Sequence, residues 1–237
     1  MTLSGSPLLT ESQLDALRAL DTPTVCNALE VVAPDRRGSG YTVQPFYCPR
    51  PELGSMVGYA RTAKIRAMQP GQRTAEADTE ARLAYYEHVA DGTGPTVTVI
   101  EDIDAIPGYG AWWGEVNTNI HRGFGSVGVV TNGSIRDLDD AAEGFHMLAG
   151  MANPSHAWVR IEAHAVPVTV HGMTVAPGDL VHADRHGAVV IPIDAAADVP
   201  AAAADIAAKE QVIIEASQSP GFTPARLREI LGGKAGH

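Results

Sequence analysis

The stretch Val127-Gly128-Val129-Val130-Thr131-Asn132-Gly133-Ser134-Ile135-Arg136-Asp137 decides how the chain reads. Val127 to Val130 is a short apolar run of the kind that becomes a buried strand, here continuing to Asn132. Gly133 marks a turn, and an Arg–Asp pair stands at its exit. Leu138-Asp139-Asp140-Ala141-Ala142 follows, and the pattern predicts a helix from about Asp137 to Gly144 with carboxylates in its first turn. A core strand that delivers adjacent opposite charges to one turn serves two jobs in one cleft. Asp137 suits a hard cation, and the planar fork of Arg136 suits a carboxylate.

Outward from this stretch, strands and helices alternate. Upstream lie a helix from about Glu115 to Arg122, a Gly-rich segment around Pro107-Gly108-Tyr109-Gly110, and a strand from Pro95 to Glu101. Before these come a helical pattern over residues 75–90 and a strand from Val57 to Arg66. Residues 33–56 are rich in Gly and Pro and read as irregular connection. Thr10-Glu11-Ser12-Gln13 opens a helix with a capping box, and a second helix follows Thr22-Pro23-Thr24. Downstream, hairpin-like strands fill residues 158–193, among them Val166–Val170, Leu180–Asp184 and Ala188–Pro192. A long Ala-rich helix (195–216) and a short final one (224–231) close the chain. The reading is one compact α/β domain over residues 1–237 with a mixed sheet. Its N-terminal helices (about 10–30) and its Ala-rich helix pack on the body or on a neighbouring subunit.

Composition excludes several classes. The formal net charge is −11, which opposes extended nucleic-acid contact, since phosphates need clustered cations. No apolar stretch is long enough to span a membrane, and Met1 to Leu9 lacks the pattern of a secretory signal. Cys26 and Cys48 read as reduced thiols in a cytoplasmic protein.

Other signals are weaker. Gly123-Phe124-Gly125-Ser126-Val127-Gly128 has the spacing of a dinucleotide-binding loop, but it follows a helix and precedes a strand, the reverse of what pyrophosphate binding needs. Tight helix-to-strand turning explains those glycines. His182 and His186 sit beside a hairpin, where a four-residue spacing does not make a zinc site, and read as surface or interface residues. The three lysines, Lys64, Lys209 and Lys234, include no candidate for a desolvated Schiff-base amine. Trp112-Trp113-Gly114-Glu115-Val116-Asn117 offers free amides at residues 115–117, where a helix start binds an anion. An ordinary helix start with Glu115 favouring the dipole is the other reading. Tyr109, Trp112 and Trp113 form either one apolar wall of a site or part of the core.

Twenty residues separate Glu115 from Arg136-Asp137. With Gly-X-X-Gly-Val-Val-X-X-Gly-X-X-Arg-Asp from Gly125, this resembles the RraA-like family. That family includes the regulator of ribonuclease activity A and the class II 4-hydroxy-4-methyl-2-oxoglutarate/4-carboxy-4-hydroxy-2-oxoadipate aldolases. Thr22 to Leu29, Val57 to Thr62, Val175 to Asp179 and Asp184 to Pro192 extend the resemblance over roughly residues 20–215. It implies a swivelling-domain-type α/β/β/α sandwich, assembled as a trimer or hexamer with clefts between subunits. The chain departs from the aldolase pattern at Glu115, where Asp is typical, and at Asn27, where Asp is common. The extra methylene at Glu115 moves its carboxylate by about 1–1.5 Å.

Carried onto this sequence, the resemblance implies magnesium or manganese anchored directly by Asp137, with Glu115 ordering a metal-side water. Arg136 and the backbone amides of Gly114, Glu115, Val116 and Asn117 would hold a substrate carboxylate. The implied activity is retro-aldol cleavage or decarboxylation of a 2-oxo acid, such as 4-hydroxy-4-methyl-2-oxoglutarate or oxaloacetate, giving pyruvate. The family also allows a non-enzymatic regulator that binds a protein partner, or a hydratase or isomerase using the same metal.

Overall fold

Long β-branched runs become strands here, and capped, Ala-rich runs become helices. The computed structural model describes residues 8–232. Helices α1 (Glu11–Arg18) and α2 (Thr22–Val32) come first, α1 with its reciprocal Thr10–Gln13 capping box and α2 capped by Asp21 with Pro23 in its first turn. After a 23-residue connection (33–55) the chain enters β1 (Met56–Arg66), α3 (Ala75–Ala90), β2 (Thr96–Asp102), β3 (Ala111–Trp113) and α4 (Glu115–Gly123). Then come β4 (Ser126–Thr131), β5 (Ser134–Ile135), β6 (His146–Leu148), β7 (Met151–Ala152) and β8 (Arg160–His164). Two hairpins follow, β9 (Val168–Val170) with β10 (Met173–Val175) and β11 (Leu180–Asp184) with β12 (Gly187–Ile191). The chain ends in α5 (Val199–Gln218) and α6 (Pro224–Gly232).

The main sheet is mixed, with strand order β12-β11-β1-β2-β4-β6. β1, β2, β4 and β6 run parallel, as crossover helices require, and the antiparallel partners come from the hairpin-rich half. β1 is the pivot. One edge pairs with β2 over Tyr59–Ile65, whereas the other pairs with β11 over Met56–Tyr59 and with β8 over Ala63–Arg66. Its odd-numbered residues follow the same division. Val57 and Tyr59 pack under α1, α2 and α5, and Ala63 and Ile65 pack against the cluster around α3 and α4. Met56 and Ala60 point to the opposite face, against Val170, Met173 and Val181. The result is a compact α/β body built on a curled sheet.

The helix expected over Asp137–Gly144 is absent. Residues 137–144 form successive turns, bounded by Asp137 at a left-handed φ of 50° and Gly144 at 69°, and the carbonyls of Leu138, Ala141 and Ala142 accept from the Arg50 guanidinium and not from a helical ladder. The segment instead runs back along the body to start β6 parallel to β4. Short strands β3, β5 and β6 were not legible in the apolar pattern. Of the lysines, Lys64 pairs with Glu101 at 3.2 Å, Lys209 is exposed on α5, and Lys234 lies outside the described residues. No described helix is long and apolar enough to cross a membrane.

Candidate active site

The end of β4 is locked before the Arg–Asp pair begins. Asn132 Oδ1 accepts the N–H of Asp102 at 2.7 Å, and its Nδ2 donates to the Asp102 carbonyl at 2.9 Å, so the turn is fastened to the end of β2. The chain then enters β5, which pairs in parallel with β3, Trp113 opposite Ile135. Arg136 N–H donates to the Trp113 carbonyl at 2.9 Å and continues that ladder. This pairing sets Arg136 and Asp137 beside Gly114, the residue that precedes α4.

Gly114 carries no side chain to cap its helix. Asp137, distant in sequence, does so instead: its Oδ2 accepts the Glu115 N–H at 3.2 Å. The same oxygen lies 3.7 Å from Arg136 Nε, with Arg136 and Asp137 each about one-third exposed. A Cβ on Gly114 would collide with Asp137 Oδ2 and stand 3.2 Å from Arg136 Cγ. Glycine is required here for space, since its φ of −165° is open to any residue. The next amides, Val116 and Asn117, have no hydrogen-bond acceptor among the described residues. Two free donors at a helix start, one guanidinium beside them and a fixed carboxylate make a site for a small anion with a cation alongside.

Behind the site, buried side chains hold α4 in place. Asn117 Nδ2 donates to the Trp112 carbonyl at 2.5 Å, and Tyr86 OH donates to Asn117 Oδ1 at 2.6 Å. His121 Nδ1 bonds the Asn117 carbonyl at 2.6 Å, which makes it the protonated nitrogen, so Nε2 accepts from Tyr85 OH, also at 2.6 Å. Burial lowers the His121 pKa to about 4, outweighing the Asn117 carbonyl, and His88 is likewise lowered to about 4 by burial and by Arg61. The unfolded chain binds these protons near pH 6.5 while the folded chain does not, so stability falls as pH drops from about 6.5 towards 4. Buried His121 is worth about 3 kcal/mol over that window, and half-buried His88 less, because solvent screens it. His121→Gln is expected to flatten the decline, measured by urea unfolding at pH 7 and pH 4.5.

The structure brings Gly114, Glu115, Val116, Asn117, Arg136 and Asp137 together, all at the junction of β3, α4 and β5. The amide of Glu115 is taken by Asp137 and is not free to hold a ligand, which leaves Val116 and Asn117 as donors. Trp112 and Trp113 are core: Trp113 is fully buried, its ring 4.5 Å from His121 and 5.7 Å from Phe145. Tyr109 is exposed. His182 is not at the surface. It is fully buried, bonding Thr22 Oγ1 at 3.1 Å through Nδ1 and the carbonyls of Leu17 and Leu20 through Nε2. His186 stays exposed and pairs with buried Asp184 at 3.1 Å. The glycines at 123–128 make the helix-to-strand turn, with Gly125 at φ 86°. Sequence reasoning missed Asn132, Tyr86 and Thr118. Thr118 alone left a trace, as a hydroxyl three residues into a helix that begins without a cap.

Comparison with known proteins bears on this arrangement. The family model RraA-like, described as Aldolase/RraA, matches residues 22–190. The chain belongs to the RraA-like family. No curated protein matches it. Among solved structures, an uncharacterized protein from Pseudomonas syringae pv. tomato str. DC3000 is 26% identical, with a TM-score of 0.69 over 95% of this chain and 99% of that one. Streptomyces coelicolor RraAS2, described as an unusual member of the RNase ES inhibitor RraA protein family, is 24% identical, with a TM-score of 0.66 over 87% and 98%. A protein described with novel cellulases from microbes of the gut ecosystem is 16% identical, with a TM-score of 0.68 over 89% and 90%. Likeness to the last two shows the RraA-like fold alone.

Proposed function

We propose that this RraA-like chain is a divalent-metal-dependent lyase that cleaves a 2-oxo acid bearing a second carboxylate or a hydroxyl, with pyruvate as product. The observation that carries it is the seating of Asp137 Oδ2 on the Glu115 amide beside Arg136. That contact fixes a carboxylate, a guanidinium and two open amides around one point.

Asp137 Oδ1 has no hydrogen-bond partner among the described residues, and the Glu115 side chain, exposed on the first turn of α4, forms no ion pair among them, so both carboxylates are open to a cation. No group of three or more His, Cys, Asp or Glu that could cage a metal occurs among the described residues. This set suits magnesium or manganese, which keep their waters, and does not suit zinc. Asp137 would hold the ion directly and Glu115 through water; when bound, the ion supplies an electron sink for the substrate carbonyl.

The chain's own groups divide the remaining work. Arg136 and the Val116 and Asn117 amides bind the C1 carboxylate, and Arg136 reaches the C2 oxygen. A water positioned by Glu115 takes the proton of the C4 hydroxyl, C4 becomes a carbonyl, and the C3–C4 electron pair passes into the enolate of pyruvate. Proton transfer to C3 releases pyruvate. With oxaloacetate the same bond breaks to give carbon dioxide and the same enolate. Glu115→Gln is expected to lower kcat about 10²-fold with KM within about threefold, checked by steady-state kinetics. Val116, on the first turn of α4, is exposed in the single chain, and a second subunit of a trimeric or hexameric assembly would close the site.

The test is pyruvate release from oxaloacetate and from 4-hydroxy-4-methyl-2-oxoglutarate, with magnesium, with manganese and with chelator. Metal-dependent release above the metal-alone control supports the lyase. No release on either substrate favours a protein-binding regulator.

A further inference from the structure

Arg50 lies in the irregular segment before β1, in a stretch with no chemical signature. Its guanidinium donates to three backbone carbonyls of one loop: Nη1 to Ala142 at 2.8 Å, and Nη2 to Ala141 at 2.9 Å and to Leu138 at 3.1 Å. It forms no ion pair among the described residues. A half-buried cation is thus engaged by carbonyl dipoles alone, and the loop it grips begins at the residue after Asp137.

That loop is not a helix, so the carbonyls of Leu138 and Ala141 lack helical N–H donors, and Arg50 supplies them. From the other side, Thr118 Oγ1 accepts the Ala142 N–H at 2.9 Å and donates to the Glu115 carbonyl at 2.9 Å. The loop is held between Arg50 and Thr118, and Thr118 ties it to the residue whose amide seats Asp137. Asp137 itself has the left-handed φ of 50°, a conformation that persists in a non-glycine residue only when its surroundings impose it.

We propose that Arg50 is a positioning residue: by clamping the carbonyls of Leu138, Ala141 and Ala142 it holds Asp137 in its left-handed conformation against the N-terminus of α4. This rests on the lyase reading for its consequence in turnover and on geometry for the clamp. A carboxylate displaced by about 1 Å costs on the order of 10²-fold in rate.

The experiment compares wild type, Arg50→Ala and Arg50→Lys. Amide hydrogen exchange over residues 137–145 is read first, since it needs no activity, together with kcat and KM for oxaloacetate. Expected for Arg50→Ala are exchange about tenfold faster confined to that loop, kcat lower by about 10²-fold with KM little changed, and partial recovery of kcat on adding ethylguanidine. Arg50→Lys, which offers fewer and differently placed donors, loses about tenfold and gains nothing from ethylguanidine. If Arg50→Ala does not fold, Arg50→Lys is judged by the same exchange and kinetic measurements. Unchanged exchange over 137–145 overturns the clamp. Loosened exchange with unchanged kcat overturns its role in positioning. An inactive wild type removes the lyase reading instead, whatever the variants do.

Discussion

Asp137→Asn is expected to abolish metal-dependent turnover, lowering kcat/KM by about 10³-fold or more. The amide keeps the shape of the carboxylate, and its oxygen still accepts the Glu115 N–H, so the cap on α4 survives. What disappears is the charge that would anchor the cation and that pairs with Arg136. Thermal stability is therefore expected to stay within about 1 kcal/mol of wild type, the scale of a helix cap. A metal titration of activity, paired with a melting curve, separates the two effects. Full activity at ordinary metal concentration would show that Asp137 is a helix cap and nothing more.

Gly114→Ala is the second large effect, and it arises without touching a charged group. The backbone at Gly114 is extended and accepts alanine, yet the new methyl meets Asp137 Oδ2 and stands 3.2 and 3.3 Å from Arg136 Cγ and Nε. Something has to shift, and both movable neighbours are the site's own side chains. We expect a loss of about 10²–10³-fold in kcat/KM with a destabilisation of about 1–3 kcal/mol. Gly123→Ala, at the other end of the same helix, is the control. A Cβ there meets nothing within 4 Å, so activity is expected to be unchanged and stability equal or slightly higher. Equal losses in the two variants would place the effect in α4 rather than in the contact with Asp137.

Much of the fold was legible because its signals are local. The strand patterns at 57–66, 96–100 and 127–131 became the parallel core, and Thr10 capped α1 through the capping box its spacing with Gln13 predicts, whereas the caps Asp21 and Thr74 were found only in the structure. The pair Arg136-Asp137 was legible as chemistry because opposite charges stand at the exit of a core strand. The contacts that complete the site join distant residues, and no local pattern announces them. Asp137 seats on an amide 22 residues away, and Arg50 reaches a loop roughly 90 residues on. The helix expected over 137–144 fails for the same reason. Its carbonyls at Leu138, Ala141 and Ala142 accept from Arg50 and its Ala142 N–H donates to Thr118, partners that lie far off in the sequence. His182 beside a hairpin reads as exposed until α1 and α2 are known to lie over it.

Formation of the pyruvate enolate by Arg136, Asp137 and the start of α4 is the step on which the proposed lyase depends. It can be followed without knowing the natural substrate, by incubating pyruvate with the protein in heavy water and reading deuterium entry into the methyl group by mass spectrometry. Incorporation is expected to require magnesium or manganese, to stop with chelator, and to be absent in Asp137→Asn. Incorporation by wild type no faster than with metal alone would contradict the lyase proposal, because a site that cannot form the enolate from its product cannot have released that product through it.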